Sequence, residues 1–515
     1  MSAASAEFSP AMLPRSAAGE RSPWLIAVIV SIATFMEVLD TTIANVALRH
    51  IAGGLAISLD ESTWILTSYL VSNAIVLPVS GWLSNVLGRK RFYMICVALF
   101  TASSVLCSMA TSLSFMIVAR VLQGIGGGGL APTEQSILTD TFPVRMRAQV
   151  FALYGVTVVL APAIGPVLGG YLTDALSWHW VFLINLPVGI VSLALTSAFV
   201  TEPPALITER KRLLAEGFRV DYVGFALVAV GFGTLQVVFD KFSRDDGFSS
   251  SFIVFFAAVS ALSLTTLVFW ELAHPVPAVN LRLLKLRAFA ISNVVMFAIG
   301  FMLISTTQLL PQFTQQLMGY DAMTAGKALG FAGIATLFLM PISGMVTGRL
   351  IQPKWIIFVA LIVSGFALLH ESHLDLSVSF QDIALARVYQ VVALPFLFIP
   401  ISAASYVGMP ADKSNEASAI INLMRNLGGS AGVSFATTML AERAQFHQAR
   451  LAEHITAATN LGHQSLLQWA QTVQTQAELM SYLDVFHLLA VICFALAPLA
   501  IFLRNVPKGA VARGH

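Results

Sequence analysis

The chain has 515 residues, of which 57% are hydrophobic and only 11% charged. A soluble protein is about 25% charged, and one this long would divide into several domains, each needing a charged surface. Twenty-nine Lys+Arg and 27 Asp+Glu cannot supply it, and a mean hydropathy of +0.79 agrees. As descriptions of the whole chain, soluble enzyme, nucleic-acid binder and disordered scaffold are excluded. The composition is that of a polytopic membrane protein.

Residues 1–23 are small and polar and read as a tail. The first apolar run, 24–47, is too long for a cleavable signal core and should stay in the membrane. A bilayer core needs about 20 mostly apolar residues per helix. Runs of that kind follow at 60–83, 92–111, 114–138, 148–173, 179–200, 221–240, 251–273, 288–311, 322–346, 354–371, 381–407, 414–441 and 481–504, fourteen in all. A transmembrane barrel would instead show ten-residue alternating segments, so the reading is all-α. An even number of spans puts both termini on one side. Under this assignment one face collects twenty basic residues and the other five, which makes the first face cytoplasmic.

The three cysteines all lie in apolar runs. Cys96 and Cys107 are eleven residues apart on one helix, about 16 Å, beyond the reach of a disulfide. They read as small buried hydrophobes. The ten histidines are scattered; His370-x-x-His373 has zinc spacing but no further ligands nearby in sequence. No nucleotide-binding motif or catalytic triad is visible, so neither a cofactor, a resident metal nor ATP drive is expected.

The chain repeats itself. Ala119-Arg120-Val121-Leu122-Gln123 recurs as Ala386-Arg387-Val388-Tyr389-Gln390, offset by 267. Gly81 through Gly88-Arg89 has a degenerate echo at Gly344 through Gly348-Arg349, and Gly169-Gly170 one at Gly428-Gly429. The expected organisation is a six-helix half at 24–200, a linker with two extra helices at 201–287, a second half at 288–504 and a short tail at 505–515. Parallel repeats of this kind build transporters, with the substrate site between the halves near midplane.

Several motifs carry a resemblance. Gly81-Trp82-Leu83-Ser84-Asn85-Val86-Leu87-Gly88-Arg89-Lys90-Arg91 resembles the signature loop of the major facilitator superfamily, with Asn85 where the family has Asp. That change weakens a charge-based gating contact to a hydrogen bond. Arg120-Val121-Leu122-Gln123-Gly124 is similar to the R-x-x-q-G motif, and its glycine run reads as a helix-packing face. Gly165-Pro166-Val167-Leu168-Gly169-Gly170 resembles the antiporter motif, where prolines remove helix hydrogen bonds. Leu39-Asp40-Thr41-Thr42-Ile43-Ala44-Asn45, the stretch Trp178 to Gly189, and Asn422-x-x-Arg425-Asn426-Leu427-Gly428-Gly429 resemble motifs of the fourteen-helix drug:proton antiporters of EmrB/QacA type, closest to EmrB. The resemblance covers about 24–505.

What it implies is a major facilitator fold and proton-driven export of amphipathic compounds through the inner membrane, with no enzymatic activity. An exporter of one metabolite, such as a siderophore or phenolic acid, is the competing expectation. A periplasmic adaptor and an outer-membrane channel are implied partners, with the exported segment 442–480 as docking surface or plain connector. For proton coupling the candidates are Glu37, Asp40, Arg120 and Glu134. Glu37 and Asp40 share a helix face, and Asp40 and Arg120 lie at similar depth, about 10 Å from the outer ends. A buried arginine needs a partner, so an Asp40–Arg120 contact is expected, either as a proton relay or as a static pair holding two helices. Substrate candidates are Asn45, Gln123, Asn293, Gln308, Gln312, Asn422 and Arg425. Gating candidates are Gly81, Asn85, Gly88, Arg89, Gly165, Pro166, Gly169 and Gly170.

Overall fold

Each of the fourteen apolar runs falls on a helix of the computed structural model, which describes residues 22–143, 146–202, 207–208, 210–211, 221–320, 322–347, 350–407, 409–410, 413–454 and 466–503. The helices are α1 Pro23–Gly54, α2 Leu59–Leu87, α3 Arg89–Ser108, α4 Leu113–Thr141, α5 Arg147–Ala175, α6 His179–Phe199, α7 Tyr222–Lys241, α8 Ser251–Ala273, α9 Arg287–Gln316, α10 Ala322–Val346, α11 Pro353–Glu371, α12 Phe380–Ser405, α13 Ser414–Glu453 and α14 Leu466–Ile501. Among the described residues, twelve spans are long and apolar enough to cross a membrane, and α5, bent by 41° at Pro162, adds a thirteenth. The bend is where a proline removes a ladder hydrogen bond. Helix α13 is the fourteenth run; its polar residues place it below the same threshold of apolarity. The tails, most of 203–220, the echo Gly348-Arg349 and residues 455–465 lie outside the described residues.

Both halves are packed through glycines, and the pairing repeats. A Cβ at Gly165 would stand 2.6 Å from Thr42, and one at Gly169 3.2 Å from Ile43, so the antiporter motif is where α5 closes on α1. In the second half a Cβ at Gly428 would stand 2.0 Å from the Phe297 carbonyl oxygen, and one at Gly432 2.3 Å from that of Phe301. The Gly428-Gly429 echo therefore closes α13 on α9. The run Gly124–Gly129 serves the same end: Gly124 abuts Ser72 and Tyr69 of α2, and Gly126 abuts Cys96 and Phe100 of α3. Small residues of this kind let helix backbones approach where lipid supplies no hydrophobic driving force.

The two extra helices pack on each other, and α7 also packs on α2. Ser260 Oγ donates to the Gly231 carbonyl at 3.0 Å, and the Trp270 indole donates to Asp221 at 2.9 Å. Helix α7 docks on α2 at its end, where Lys241 Nζ donates to Thr63 Oγ1 at 2.8 Å and Thr67 bonds Asp240. The segment expected as an exported loop is largely helical. Residues 442–453 continue α13 and 466–480 begin α14, with Arg443 and His447 of one facing Asp484 of the other.

Candidate functional site

Arg120 projects from α4 into the first half, and both it and Asp40 are fully buried. Its Nη1 donates to Asp40 Oδ2 at 2.8 Å and to Gln123 Oε1 at 2.7 Å, while Nε donates to the Ile65 carbonyl at 3.1 Å. The other Asp40 oxygen accepts from Gln123 Nε2 at 3.0 Å and Asn185 Nδ2 at 2.6 Å. Both amides also donate to Ser104 Oγ, at 2.7 and 2.9 Å. Four residues from four helices, Ile65, Ser104, Gln123 and Asn185, thus surround one ion pair. That satisfies the requirement that a buried charge be both paired and hydrogen-bonded. Asn185 lies in the Trp178–Gly189 stretch but carries no local sign of this role, and Ser104 gives no signal beyond being a polar residue in an apolar run.

Tyr69 joins this network to the seam between the halves. Its ring carries the Arg120 guanidinium 4.5 Å above the centroid, a cation–π contact. Its hydroxyl donates to Glu37 Oε1 at 3.1 Å, which also accepts from Asn73 Nδ2 at 3.3 Å. One turn of α1 therefore separates two acids that are both attached to Arg120, one directly and one through Tyr69. Glu134, on α4 of the same half, is fully buried; Oε1 accepts from Ser31 Oγ of α1 at 2.6 Å, and Oε2 meets no hydrogen-bond donor among the described residues.

The second half contributes Arg425 and Asn422. Arg425 Nη1 donates to the Tyr154 hydroxyl at 2.8 Å, Tyr154 donates to Asn422 Oδ1 at 3.2 Å, and Asn422 Nδ2 donates to Gln135 Oε1 at 2.9 Å. Asn426 Nδ2 reaches Asn73 Oδ1 at 3.5 Å. The Arg425 guanidinium is close enough for its charge to act on Glu37. The seam at this level is a band of polar side chains from α1, α2, α4, α5 and α13, flanked by stacked rings such as Tyr154–Phe398 and Phe151–Tyr406.

Three substrate candidates, Asn45, Gln308 and Asn293, make no hydrogen bond to this band among the described residues. Asn45 and Gln308 are exposed. The Asn293 amide donates to its own helix at the Phe289 carbonyl, 2.8 Å away. Gln312 lies past the apolar run 288–311 but is half-buried within α9, which runs on to Gln316. A helix longer than the bilayer is thick carries polar residues past the point where an apolar run stops.

At the end carrying the Gly81–Arg91 turn the halves are closed on each other. A Cβ at Gly81 would stand 2.9 Å from the Asn415 carbonyl oxygen, and Asn415 donates to Asn85. Arg89 pairs with Asp140 and donates to Ser414 Oγ at 3.0 Å across the seam. Gly88 sits at φ +89°, a conformation that favours glycine, and its space is bounded by Glu202 and Arg210. The Asn85 contact is a neutral hydrogen bond where the family's acid would make a charged one. Gly170 borders open space, a Cβ there meeting nothing within 4 Å.

The architecture is that of a multi-pass membrane transporter built from two six-helix bundles around a polar seam. The sequence model of the Major Facilitator Superfamily matches residues 30–433, and the chain belongs to that superfamily of transporters. It is 33% identical to the multidrug export protein EmrB of Escherichia coli K12, over 95% of this chain and 97% of that one. It is 30% identical to the fatty acid resistance protein FarB of Neisseria gonorrhoeae, over 86% and 85% respectively. Among solved structures it resembles the proton:xylose symporter XylE with a TM-score of 0.59 at 14% identity, covering 94% of this chain and 96% of that one. That last likeness shows the fold. The chain is a transporter of the EmrB kind rather than an enzyme.

Proposed function

We propose that the chain is a proton-coupled exporter of amphipathic compounds, moving them out of the cytoplasm across the inner membrane by alternating access. The observation that carries the reading is the connected set Glu37–Tyr69–Arg120–Asp40 beside the seam. A carboxyl is the side chain that takes up and releases a proton without leaving its helix. Here one carboxyl, Asp40, holds the arginine directly, while Glu37 is tied to the same arginine through a single tyrosine.

Adding a proton to Glu37 removes its charge, changes its hold on Tyr69, and so loosens the platform on which Arg120 rests. Glu134, with one oxygen free, is the second acid along the route towards the closed end. Arg425 and Asn422 stand on the opposite wall, where α13 moves with the second half. Substrate and proton then act on one polar band, which is what exchange between them requires. The apolar rings flanking that band suit a compound with a large hydrophobic part and a polar head. The names of EmrB and FarB, multidrug export and fatty acid resistance, point the same way.

Both termini are assigned to the cytoplasm by the excess of basic residues on that face. The helical extension formed by 442–453 and 466–480 projects beyond the apolar part of α13 and α14 and exposes Phe446 and Leu467. It is assigned as the docking surface for a periplasmic adaptor that leads to an outer-membrane channel. Shortening this extension should abolish whole-cell resistance while leaving vesicle transport intact.

The test of the coupling uses proteoliposomes with an imposed proton gradient and ethidium as the transported probe. The wild-type protein should concentrate ethidium and release protons as it does so, without ATP. Asp40→Asn should fold, bind ethidium and fail to concentrate it. Gradient-driven uptake by Asp40→Asn at the wild-type rate would overturn the assignment.

A further inference from the structure

The second half contains its own arginine–acid constellation, with the acid moved to a different helix. The offset of 267 that relates Arg120 to Arg387 and Gln123 to Gln390 also relates the helix caps Ser112 and Ser379, each accepting from a backbone amide three residues on. The register is therefore structural as well as sequential. At the same offset Asp40 corresponds to Thr307 and Ser104 to Glu371. The contacts follow the correspondence: Arg387 Nη2 donates to Thr307 Oγ1 at 2.7 Å where Arg120 donates to Asp40, and Arg387 bonds Gln390 as Arg120 bonds Gln123. The arginine has kept its place while its counter-ion has gone from α9 and a carboxyl has appeared on α11.

Glu371 is fully buried, and both of its carboxyl oxygens lack a hydrogen-bond partner among the described residues. Arg387 lies within electrostatic reach of it but is held by Thr306, Thr307 and Gln390 instead; its Nε is without a partner as well. On the helices packed against α11, Asp382 of α12 is bonded by Ser379, Glu478 of α14 accepts from Gln474, Asp484 of α14 faces Arg443 and His447, and His487 of α14 is exposed. His370, beside Glu371 on its own helix, lays its ring against Tyr389. An ionised carboxylate stripped of water and hydrogen bonds is far costlier to bury than the neutral acid. A small cavity lined by Thr306, Ser364, Leu368 and Gln390 adjoins two of the groups that hold the arginine, Thr306 and Gln390.

We propose that Glu371 is a second proton-binding site of this transporter, loaded in the conformation described and discharged when Arg387 leaves the Thr306–Thr307 pair and takes the carboxylate as its partner. The O–H bond of the acid breaks, the proton leaves to water, and the resulting anion is neutralised by the guanidinium. No other species is consumed. The proposal deepens the proton-coupled reading above and rests on it.

Two measurements test it separately from that reading. Infrared spectra of the reconstituted full-length protein across a pH series should contain a carboxylic C=O stretching band that disappears in Glu371→Gln and persists in Asp40→Asn. In ethidium proteoliposomes, Glu371→Gln should still transport, but with fewer protons released per ethidium, and Glu371→Asp should restore the wild-type ratio. If the wild-type protein releases no protons, the coupling itself fails. If it does and Glu371→Gln keeps both the wild-type band and the wild-type proton ratio, the Glu371 site is overturned. Because the infrared band needs no substrate, a loss of transport in the variant would not obscure the result.

Discussion

Arg120 and Arg387 occupy the same place in the two halves and live in opposite circumstances. The first meets an acid at 2.8 Å, and that acid is itself held by two amides. The second is bonded by neutral groups, Thr306, Thr307 and Gln390, while the acid nearest it goes unpaired. A duplicated framework has thus kept the cation and redistributed the anion. The comparison teaches that a buried arginine in such a bundle is not one kind of element. Where its counter-ion is satisfied it fastens helices, and where its partners are hydroxyls it is free to exchange them.

The sharpest way to break the comparison is to remove each arginine. Arg120→Ala leaves Asp40 buried without its charge partner, a change that costs about 3–5 kcal/mol. Arg387→Ala removes hydrogen bonds to neutral groups and should cost about 1–3 kcal/mol. Thermal unfolding in detergent, followed by intrinsic fluorescence, should therefore rank Arg120→Ala well below Arg387→Ala. Equal losses would show that the two sites are energetically alike.

A smaller effect separates glycines that close helix pairs from one that does not. Gly428→Ala drives a methyl group into the Phe297 carbonyl of α9 and should cost about 1–3 kcal/mol. Gly170→Ala meets nothing within 4 Å and should stay within about 0.5 kcal/mol of wild type. The same unfolding assay reads both. A neutral Gly428→Ala would mean that α9 and α13 separate more easily than their contact suggests.

The smallest effect belongs to the closed end. Asn85→Ala removes the hydrogen bond to Asn415 and should weaken closure by about 0.5–1.5 kcal/mol. All three native cysteines are buried, and Ser418 of α13 is buried against the other half, where Ser136 Oγ of α4 donates to it at 3.2 Å, so a single Ser418→Cys can report on opening. In inside-out vesicles it should react faster with a membrane-impermeant thiol reagent when Asn85→Ala is also present. Unchanged labelling would remove Asn85 from the gate.

The helices were legible because membrane insertion is a local property: a run of about 20 apolar residues is a span whatever surrounds it. The bend in α5 and the close helix pairs were legible for a similar reason, since proline and glycine act through their own backbone. The contact between Asp40 and Arg120 was within reach of reasoning about depth, because two buried charges at one level have few alternatives to meeting. For polar residues at span ends, such as Gln308 and Asn45, the sequence carried no comparable signal, because periodicity does not say which way a side chain faces once the helix is packed.

By itself the sequence determined that this is a helical membrane protein of two related halves, with charges placed where only pairing could tolerate them. Only the tertiary structure decided the identity of those pairs. Tyr69 as the bridge from Glu37 to Arg120, Asn185 and Ser104 as the remaining support of the ion pair, and Glu371 as an acid without a partner all depend on contacts between residues far apart in the chain. Hydrogen bonds between side chains are satisfied across helices, and no local pattern of apolar and polar residues records which helix stands opposite.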